Sequence, residues 1–549
     1  MSSPFFKKSK DIANTFIQSI VFLDDKAYLK ENTDGQGDVN DLDAHEISKL
    51  FAKEKKICAV YDPETETDIE DFKIIAIKSD VVILDWFIDI VKPVEEGNDE
   101  EDAEDDDVRG KYTIDIISNL LEEGKTDNLK IILVYTGETN LVEIAETIKQ
   151  INPGLTLNQD SLTLNIKNVT IIVRAKSNNQ DGIDNRFAHM PQLQNKVLKY
   201  NQLPDFILEE FTKQTSGLLS NFALLSLATL RNNTSKILGL YNKNLDHAYL
   251  EHKSSIPNPE DAENLLIEIF KDSIGDLLHY KQIQKKISKT DVSQWIDETI
   301  SNEDKSIKKA DGTNVNPEAT FERDKKLLLS LLYSSEKDVQ LRFMDILEPL
   351  CGSKGKAEAY YKYLKLNNID LFINSTQENE KAKIITDFAR LTHHKNVFLP
   401  LGIKPILSLG TVLKSNKTGK YYICIQQRCD SVRIQKNEAR KFLFIPMLVS
   451  TNEKFNFITQ DSVKLKLDTK SYSLRTLKFE SNKNGVVEPT TYSGKYYFKQ
   501  MYKLKSDEKF QWILDLKDLH AQRIVSDYAA TLSRVGLDES EWLRKSGIN

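Results

Sequence analysis

The chain has 549 residues, of which 40% are hydrophobic and 29% are charged, and these proportions are ordinary for a globular protein. Such a length is too great for one hydrophobic core and predicts about three domains. No apolar run reaches the roughly eighteen residues of a membrane span, and no apolar segment follows the N-terminal lysines, so the sequence favours a cytoplasmic protein without a secretory signal.

The net charge of −8 is unevenly distributed along the chain. Residues 95–107 hold ten acidic residues and no basic one, and a segment of this kind is expected to be a self-repelling, disordered loop. Residues 405–510 hold twenty Lys or Arg against nine Asp or Glu. This asymmetry bears on the binding partners of the protein rather than on its fold.

Short apolar runs alternate with amphipathic stretches over residues 1–185. The apolar runs predict strands at 19–25, 80–86, 130–137 and 169–176, and apolar residues spaced by three and four predict helices at 45–54, 113–123 and 141–151. Continuous β-branched runs separated by helices are typical of a parallel sheet covered on both faces. The sequence therefore predicts a doubly wound α/β domain at 1–185.

The pattern changes twice after this domain. Long amphipathic stretches, such as residues 204–241 and 261–287, predict an all-α domain over 186–400. From about residue 405 the apolar period is two, which predicts a β-rich domain over 401–549, barrel-like or sandwich-like, with a terminal helix at 516–545. Cys424 and Cys429 have no second pair to complete a zinc site and are interpreted as buried small apolar side chains.

Acidic, hydroxyl and amino side chains stand at the ends of the predicted strands of the first domain. Asp24 and Asp25 end the first strand, and Asp85 ends the second. Thr136 ends the third, and Lys176 ends the fourth. Because the carboxyl ends of parallel strands meet at one edge of a sheet, these side chains are expected to share a crevice. Clustered carboxylates repel one another unless a divalent cation joins them, so the three aspartates predict a Mg²⁺ site.

This set of residues resembles the receiver domain of two-component signalling. In that family an acidic pair holds Mg²⁺, a central Asp takes a phosphoryl group from a phosphohistidine, and Thr and Lys bind the phosphoryl oxygens. The resemblance implies that Asp24 and Asp25 are the acidic pair and that Asp85 is the phosphoacceptor. It implies further that Thr136 and Lys176 bind the phosphoryl group and that a sensor histidine kinase is the partner.

Two positions depart from the receiver pattern. Lys176 is followed by Ser177 where receivers usually have proline, and Arg174 stands where an aromatic switch residue is expected. We therefore predict that Arg174 and Thr136 couple Asp85 to the helical domain, with the acidic loop 95–107 competing for the guanidinium. The alternative is that Arg174 lies on the other face of its strand and has no such role.

Segments spread over most of the chain resemble a divergent class of response-receiver proteins from bacterial anti-phage defence operons, such as the DtcB-type receivers of Detocs systems. The segments are VVILDW (81–86), LPDFILEEF (203–211), CIQQRCDSVRI (424–434) and KFLFIPM (441–447). The resemblance implies a phosphate sink or relay that acts beside a separate effector. No Gly-rich phosphate loop or Ser/His/Asp set occurs in the helical or C-terminal parts, so no second catalytic site is predicted.

The basic C-terminal region supports an alternative function, in which the receiver controls a nucleic-acid-binding platform. Eight aromatic residues there are interspersed with Lys and Arg: Tyr421, Tyr422, Phe442, Phe444, Tyr496, Tyr497, Phe498 and Tyr502. Aromatic rings on a basic surface can stack nucleobases. Aromatic residues that form the core of a β-rich domain, beside lysines that protect its edge strands, give the same pattern, and we favour this core interpretation.

Overall fold

The computed structural model describes residues 3–27, 42–90, 109–122, 124–180, 184–256, 261–306, 320–366, 368–395, 404–450, 455–468, 470, 473–501 and 508–532. The chain divides into two compact units, 1–299 and 300–549. The acidic loop 95–107 lies outside the described residues, so its disorder stays a prediction.

One eight-stranded sheet and a set of helices make up the described part of the first unit. The strands are β1 (Ser19–Leu23), β2 (Ile57–Tyr61), β3 (Val81–Leu84), β4 (Lys130–Thr136), β5 (Thr156–Asn158), β6 (Thr163–Ile166), β7 (Val169–Lys176) and β8 (Val197–Leu198). The α-helices are α1 (Pro4–Phe16), α2 (Ala44–Lys53), α3 (Glu66–Lys78), α4 (Lys111–Leu120), α5 (Leu141–Ile151), α6 (Pro191–Gln194), α7 (Leu203–Thr215), α8 (Leu218–Arg231), α9 (Thr234–Leu240), α10 (Asp246–Ser255), α11 (Asp261–Tyr280) and α12 (Lys289–Thr299).

The sheet confirms the predicted doubly wound α/β domain. Its five principal strands are parallel and lie in the order β2-β1-β3-β4-β7. The order reverses between β1 and β3, and in open α/β sheets such a switch point is where ligands bind. The antiparallel hairpin β5–β6 extends the sheet beyond β7 and was not predicted, because its alternating polar residues interrupt the apolar pattern.

Helices cover both faces of this sheet, as the continuous apolar strands require. On one face, α3, α4 and α5 pack against residues that include Leu84, Val134 and Val173. On the opposite face, α1, α2, α7 and α8 pack against residues that include Ile83 and Tyr135. Each buried side chain of this size stabilises the fold by roughly 1.5–3 kcal/mol, so the two layers fix the strand ends firmly.

Helix α1 was not predicted, since its lysines conceal an amphipathic pattern. Its buried residues recur every three or four positions: Phe5, Ser9, Ile12, Ala13 and Phe16. The helix begins where the Ser3 hydroxyl accepts a hydrogen bond from the Phe6 N–H, with Pro4 at the first helical position.

The core of the sheet extends past residue 185. Leu203, Ile207 and Phe211 of α7 are buried in the same cluster as the strands. At the end of α8, the Arg231 guanidinium donates two hydrogen bonds to Asp80 at the start of β3 and stacks on the Phe16 ring. Helices α7 and α8 are therefore part of the packing of the α/β layer, whereas the predicted division at 1–185, 186–400 and 401–549 stays a prediction.

The second unit combines helices with antiparallel strands. Its α-helices are α13 (Lys325–Tyr333), α14 (Glu336–Cys351), α15 (Lys354–Leu366), α16 (Lys381–His393), α17 (Arg428–Ser431) and α18 (Asp518–Leu532). Its strands are β9 (Asp304–Ser306), β10 (Thr320–Glu322), β11 (Thr411–Ser415), β12 (Tyr421–Cys424), β13 (Ala439–Val449), β14 (Phe457–Ile458), β15 (Lys464–Leu467), β16 (Arg475–Glu480), β17 (Thr490–Tyr492), β18 (Lys495–Lys499) and β19 (Lys509–Asp515). The predicted helical middle region, C-terminal β-sheet and terminal helix are thus confirmed.

Strands β11 to β19 form one nine-stranded sheet that encloses two cores. In one core, α18 packs against residues of both strands of the hairpin β11–β12, such as Val412 and Ile423. The other core is rich in phenylalanine, and Phe479 lies at its centre with four aromatic neighbours at ring distances of 6.1–6.2 Å. Aromatic edge-to-face pairs at this spacing are favourable beyond the area that they bury.

The two cores of this sheet account for much of the aromatic pattern that suggested nucleic-acid binding. Tyr421, Phe442, Phe444 and Phe498 are buried, while Tyr422, Tyr496 and Tyr497 are half-buried. Tyr502 lies outside the described residues. The core interpretation is confirmed for the four buried residues, and nucleic-acid binding stays a prediction.

Two smaller predictions can be compared with the structure. Cys424 is buried as expected, but the prediction for Cys429 is wrong, because this residue is exposed within the short helix α17. Among the residues that the structure describes, every helix is too short or too polar to cross a membrane.

Candidate functional site

The register of the parallel strands brings the acidic residues to one level. Leu23 at the end of β1 pairs with Leu84 at the end of β3, so Asp24 and Asp85 follow at the same height. The backbone continues this pairing, since the Asp85 N–H donates to the Leu23 carbonyl at 2.9 Å. Both carboxylates therefore project from the switch point of the sheet, where the topology leaves a crevice.

Lys176 joins these two carboxylates. Its ammonium donates to Asp24 Oδ2 and to Asp85 Oδ2, each at 2.6 Å. The side chain of Lys176 is 1% exposed, and those of Asp24 and Asp85 are 0% and 7% exposed. Because β7 is separated from β3 by β4, only a long side chain can reach across, and the four-carbon stem of lysine does so.

Asp25 completes a group of three carboxylates. One oxygen each from Asp24, Asp25 and Asp85 lies within 4.8 Å of the others, and this is the one such metal-ligating group within the described ranges. Asp25 Oδ2 accepts a hydrogen bond from the Asp89 N–H at 3.0 Å, whereas its Oδ1 is buried without any hydrogen-bond partner. A buried, unpartnered carboxylate oxygen is costly, and a hard divalent cation would satisfy it. The residues therefore fit a Mg²⁺-type ion.

Two neighbours orient Asp85, and the sequence did not single them out. The backbone N–H of Trp86 donates to Asp85 Oδ1 at 2.7 Å, and the Thr113 hydroxyl of α4 donates to the backbone carbonyl of Asp85. Trp86 could have been found by its place directly after the acidic strand end. Thr113 gives no such signal, because its role depends on how α4 packs against the sheet.

Thr136 ends β4 and is 1% exposed. Its hydroxyl oxygen accepts a hydrogen bond from the Glu138 N–H at 3.2 Å, within the loop that follows the strand. In the described structure it forms no hydrogen bond with the three carboxylates. The structure thus joins Asp24, Asp85 and Lys176 directly, places Asp25 beside them, and leaves Thr136 at the end of the neighbouring strand.

Burial and charge set the pKa values in this crevice. Burial raises the pKa of Asp24 to about 7, although Lys176 opposes the shift. Burial also raises the pKa of Asp25. For Lys176, burial acts to lower the pKa, but the attraction of Asp85 and Asp24 outweighs it and the pKa is raised. The ammonium is therefore firmly protonated, and Asp24 and Asp25 hold their protons to a higher pH than an exposed aspartate does.

Arg174 and Thr136, which the sequence predicts to couple Asp85 to the helical domain, lie on opposite faces of the sheet, and the coupling itself stays a prediction. Thr136 pairs with Ala175 in the β4–β7 ladder, whereas Arg174 pairs with Tyr135 and lies on the opposite face of the sheet. The Arg174 guanidinium donates to the Ser161 and Val173 carbonyls and lies 5.0 Å from the Phe206 ring of α7. Arg174 thus contacts helix α7, and among the described residues it forms no hydrogen bond with Asp24, Asp25 or Asp85.

Comparison with known proteins agrees with this geometry for part of the chain. Residues 16–181 match the family model described as the response receiver domain. This segment contains all five strand-end residues, and the match supports a phosphoacceptor role in response regulation. The searches of curated proteins and of solved structures found no match.

Proposed function

We propose that the protein is a phosphoacceptor of a two-component system, in which Asp85 receives a phosphoryl group from a sensor histidine kinase. A carboxylate oxygen of Asp85 forms a bond to phosphorus while the bond from phosphorus to the histidine nitrogen breaks. The imidazole leaves with the electron pair and takes up a proton. The observation that carries this proposal is the direct bonding of Lys176 to Asp85 at the switch point of a receiver-type sheet.

The chain's own residues supply much of the electrostatic work. The Lys176 ammonium already lies 2.6 Å from Asp85 Oδ2, so it can follow negative charge as this passes to the phosphoryl oxygens. The backbone N–H of Trp86 donates to Asp85 Oδ1 at 2.7 Å and fixes the orientation of the carboxylate. The Thr136 hydroxyl, at the end of the adjacent strand, would donate to a phosphoryl oxygen.

Mg²⁺ is the cofactor that we propose for this site. Asp24, Asp25 and Asp85 would hold it through carboxylate oxygens, which are the ligands that this ion prefers. When bound, the ion supplies positive charge that offsets the clustered carboxylates and the transferring phosphoryl group.

For the rest of the chain we propose a role without effector catalysis. The protein would turn over no metabolite and would react only by gaining and losing a phosphoryl group at Asp85. The sequence resemblance to DtcB-type receivers supports a phosphate sink or relay in an anti-phage defence system, beside a separate effector protein.

Intact mass measurement tests the proposed acceptor. The full chain is incubated with acetyl phosphate and Mg²⁺, or with a phosphorylated histidine kinase, and should gain the mass of one phosphoryl group. Asp85→Asn should abolish the gain, while Asp115→Asn, which changes an accessible carboxylate on α4, should retain it. A parent protein that gains no mass, or an Asp85→Asn variant that still gains it, would overturn the proposal.

A further inference from the structure

Arg186 ties together the two strand ends that carry Thr136 and Lys176. Its guanidinium donates from Nη1 to the Gly137 carbonyl at 2.6 Å and from Nη2 to the Lys176 carbonyl. The β4–β7 ladder ends at the pair of Thr136 and Ala175, so these two carbonyls lie beyond the last ladder pair. Arg186 therefore supplies donors where the sheet no longer does.

The Arg186 guanidinium is itself fixed by an ion pair with Asp184. Asp184 accepts hydrogen bonds from Nε and Nη2 of Arg186, the latter at 2.7 Å, and its side chain is 4% exposed. The Asn178 and Arg186 backbone N–H groups also donate to Asp184, which fixes the carboxylate. Burial alone would raise the pKa of Asp184, but Arg186 and these donors lower it, so the pair stays ionised. A guanidinium is planar and has five N–H donors, so it can bind a carboxylate and two carbonyls at the same time. The ammonium of a lysine lacks this fixed geometry.

We propose that Arg186 is a positioning residue for phosphoryl transfer, which sets Thr136 and Lys176 by fixing the adjoining carbonyls of Gly137 and Lys176. This inference rests on the proposed function of Asp85. Arg186 lies beyond residue 181, where the match to the receiver family ends. The segment that leads into the helical region thus contributes to the site.

The proposal predicts a separation of two properties of the site. Asp24, Asp25 and Asp85 belong to the ends of β1 and β3, which Arg186 does not contact, so Arg186 acts on Mg²⁺ binding only through Lys176 and should affect it much less than phosphoryl transfer. Thr136 and Lys176 belong to β4 and β7, which Arg186 joins, so phosphoryl transfer should depend on it. Misplacement of such groups by about 1 Å can slow a reaction by up to about 100-fold.

Phosphorylation kinetics of the full chain test this separation. We expect Arg186→Ala to lower the maximal rate of Asp85 phosphorylation by acetyl phosphate about 10- to 100-fold. The Mg²⁺ concentration that gives half of the thermal stabilisation should change by a much smaller factor than the rate does. Arg186→Lys should not restore the rate, because lysine supplies the positive charge but not the planar set of N–H donors.

Arg231→Ala is a matched control. Arg231 also binds an aspartate, a backbone carbonyl and an aromatic ring, but it does so at the amino end of β3. It should lower the unfolding temperature as Arg186→Ala does and leave the rate of phosphorylation unchanged. Equal rates in Arg186→Ala and the parent, or an equal slowing in both variants, would contradict the positioning role.

Amide hydrogen exchange separates failure of this inference from failure of the proposed function. In the unphosphorylated protein, Arg186→Ala should speed exchange at residues 137–139 and 176–178, whereas Arg231→Ala should not. A parent protein that takes up no phosphoryl group overturns the proposed function, and the exchange data then still decide whether Arg186 fixes these strand ends. Unchanged exchange in Arg186→Ala overturns the inference by itself.

Discussion

The ring of Trp86 occupies the space where a side chain at position 110 would lie. Gly110 has a φ of +86°, and a Cβ atom built there would lie 2.4 Å from Cζ2 of Trp86. The backbone N–H of Trp86 donates to Asp85 Oδ1, while the indole of the same residue packs against Gly110. The Gly110 backbone and the acceptor carboxylate are thus linked through a single residue.

Gly110→Ala should displace Trp86 and slow phosphorylation of Asp85. The left-handed backbone costs a non-glycine residue roughly 1–2 kcal/mol, and overpacking adds about 1–3 kcal/mol. Gly124→Ala is the control, because Gly124 has the same φ of +86° and nothing within 4 Å of its Cβ position. Urea unfolding and Trp fluorescence should show a larger loss of stability and a changed indole signal for Gly110→Ala alone. Equal losses in the two variants would mean that Trp86 yields without cost.

The stability of the metal-free site should fall as the pH rises. The pKa of Asp24 is about 7 in the folded protein, well above its ordinary value, so the folded state keeps a proton that the unfolded chain loses between about pH 4 and pH 7. Folding is therefore progressively disfavoured over this window, and a bound divalent cation would reverse the effect by replacing the proton. We expect Mg²⁺ to raise the unfolding temperature more at about pH 8 than at about pH 5.

Asp24→Asn tests the source of this dependence. The amide cannot ionise, so the metal-free variant should lose the decline in stability between about pH 4 and pH 7. Mg²⁺ should stabilise it less than the parent, because one of the three carboxylates is gone. A variant whose stability follows that of the parent across this range would show that another group is responsible.

The sequence predicts the site better than it predicts the surroundings of the site. Asp24, Asp85 and Lys176 could be found because each follows a strongly apolar run, and parallel strands bring their ends together. Trp86, Thr113 and Arg186 act through packing and backbone hydrogen bonds, which depend on tertiary contacts that local patterns do not encode.

Two features of the fold, strand β2 and the face of Arg174, were also not settled by the sequence. β2 was not predicted although all five of its residues, ICAVY, are apolar: it is an edge strand in which Ile57 is 72% exposed, and it directly follows the charged segment KEKK (53–56). The face of Arg174 stayed open because the period of two within one strand does not give the register that pairs Thr136 with Ala175 across β4 and β7. Once Thr136 is known to pair with Ala175, Tyr135 and Arg174 are placed together on the face of the sheet opposite to the Thr136 side chain.

Arg174 should anchor helix α7 without affecting the chemistry of Asp85. Its guanidinium stacks on Phe206, and its register partner Tyr135 donates to the Leu198 carbonyl at 2.9 Å just before α7. We expect Arg174→Met to speed amide exchange over residues 203–215 and to leave the phosphorylation rate unchanged. Tyr135→Phe should have the same effect on exchange and lower stability by about 0.5–1.5 kcal/mol, because it removes one of the two hydrogen bonds that the buried Leu198 carbonyl accepts, the other coming from the Ser177 N–H. A slower phosphorylation in Arg174→Met would instead support the predicted coupling of Arg174 to Asp85.

Acid should destabilise the second unit, in the opposite sense to the effect at Asp24. The rings of His393 and His520 stack at 4.0 Å, and burial together with His393 and Arg523 lowers the pKa of His520 to about 4. The folded unit keeps this ring neutral while the unfolded chain protonates it below about pH 6.5, so stability is present above that pH and is lost as the pH falls toward about 4. The loss should be on the order of 1–2 kcal/mol, since water partly screens the site.

His520→Phe should flatten this acid dependence, because phenylalanine keeps the stacking on His393 and removes the titration. His247→Gln, at an exposed position on α10 in the first unit, is the control and should leave the curve of the parent unchanged. The measurement is amide exchange within β11 to β19 between about pH 4 and pH 7, corrected for the intrinsic exchange rate, which follows the second unit separately from the first. An acid-induced loss of protection in His520→Phe as large as in the parent would assign the effect to other groups, such as the buried His394.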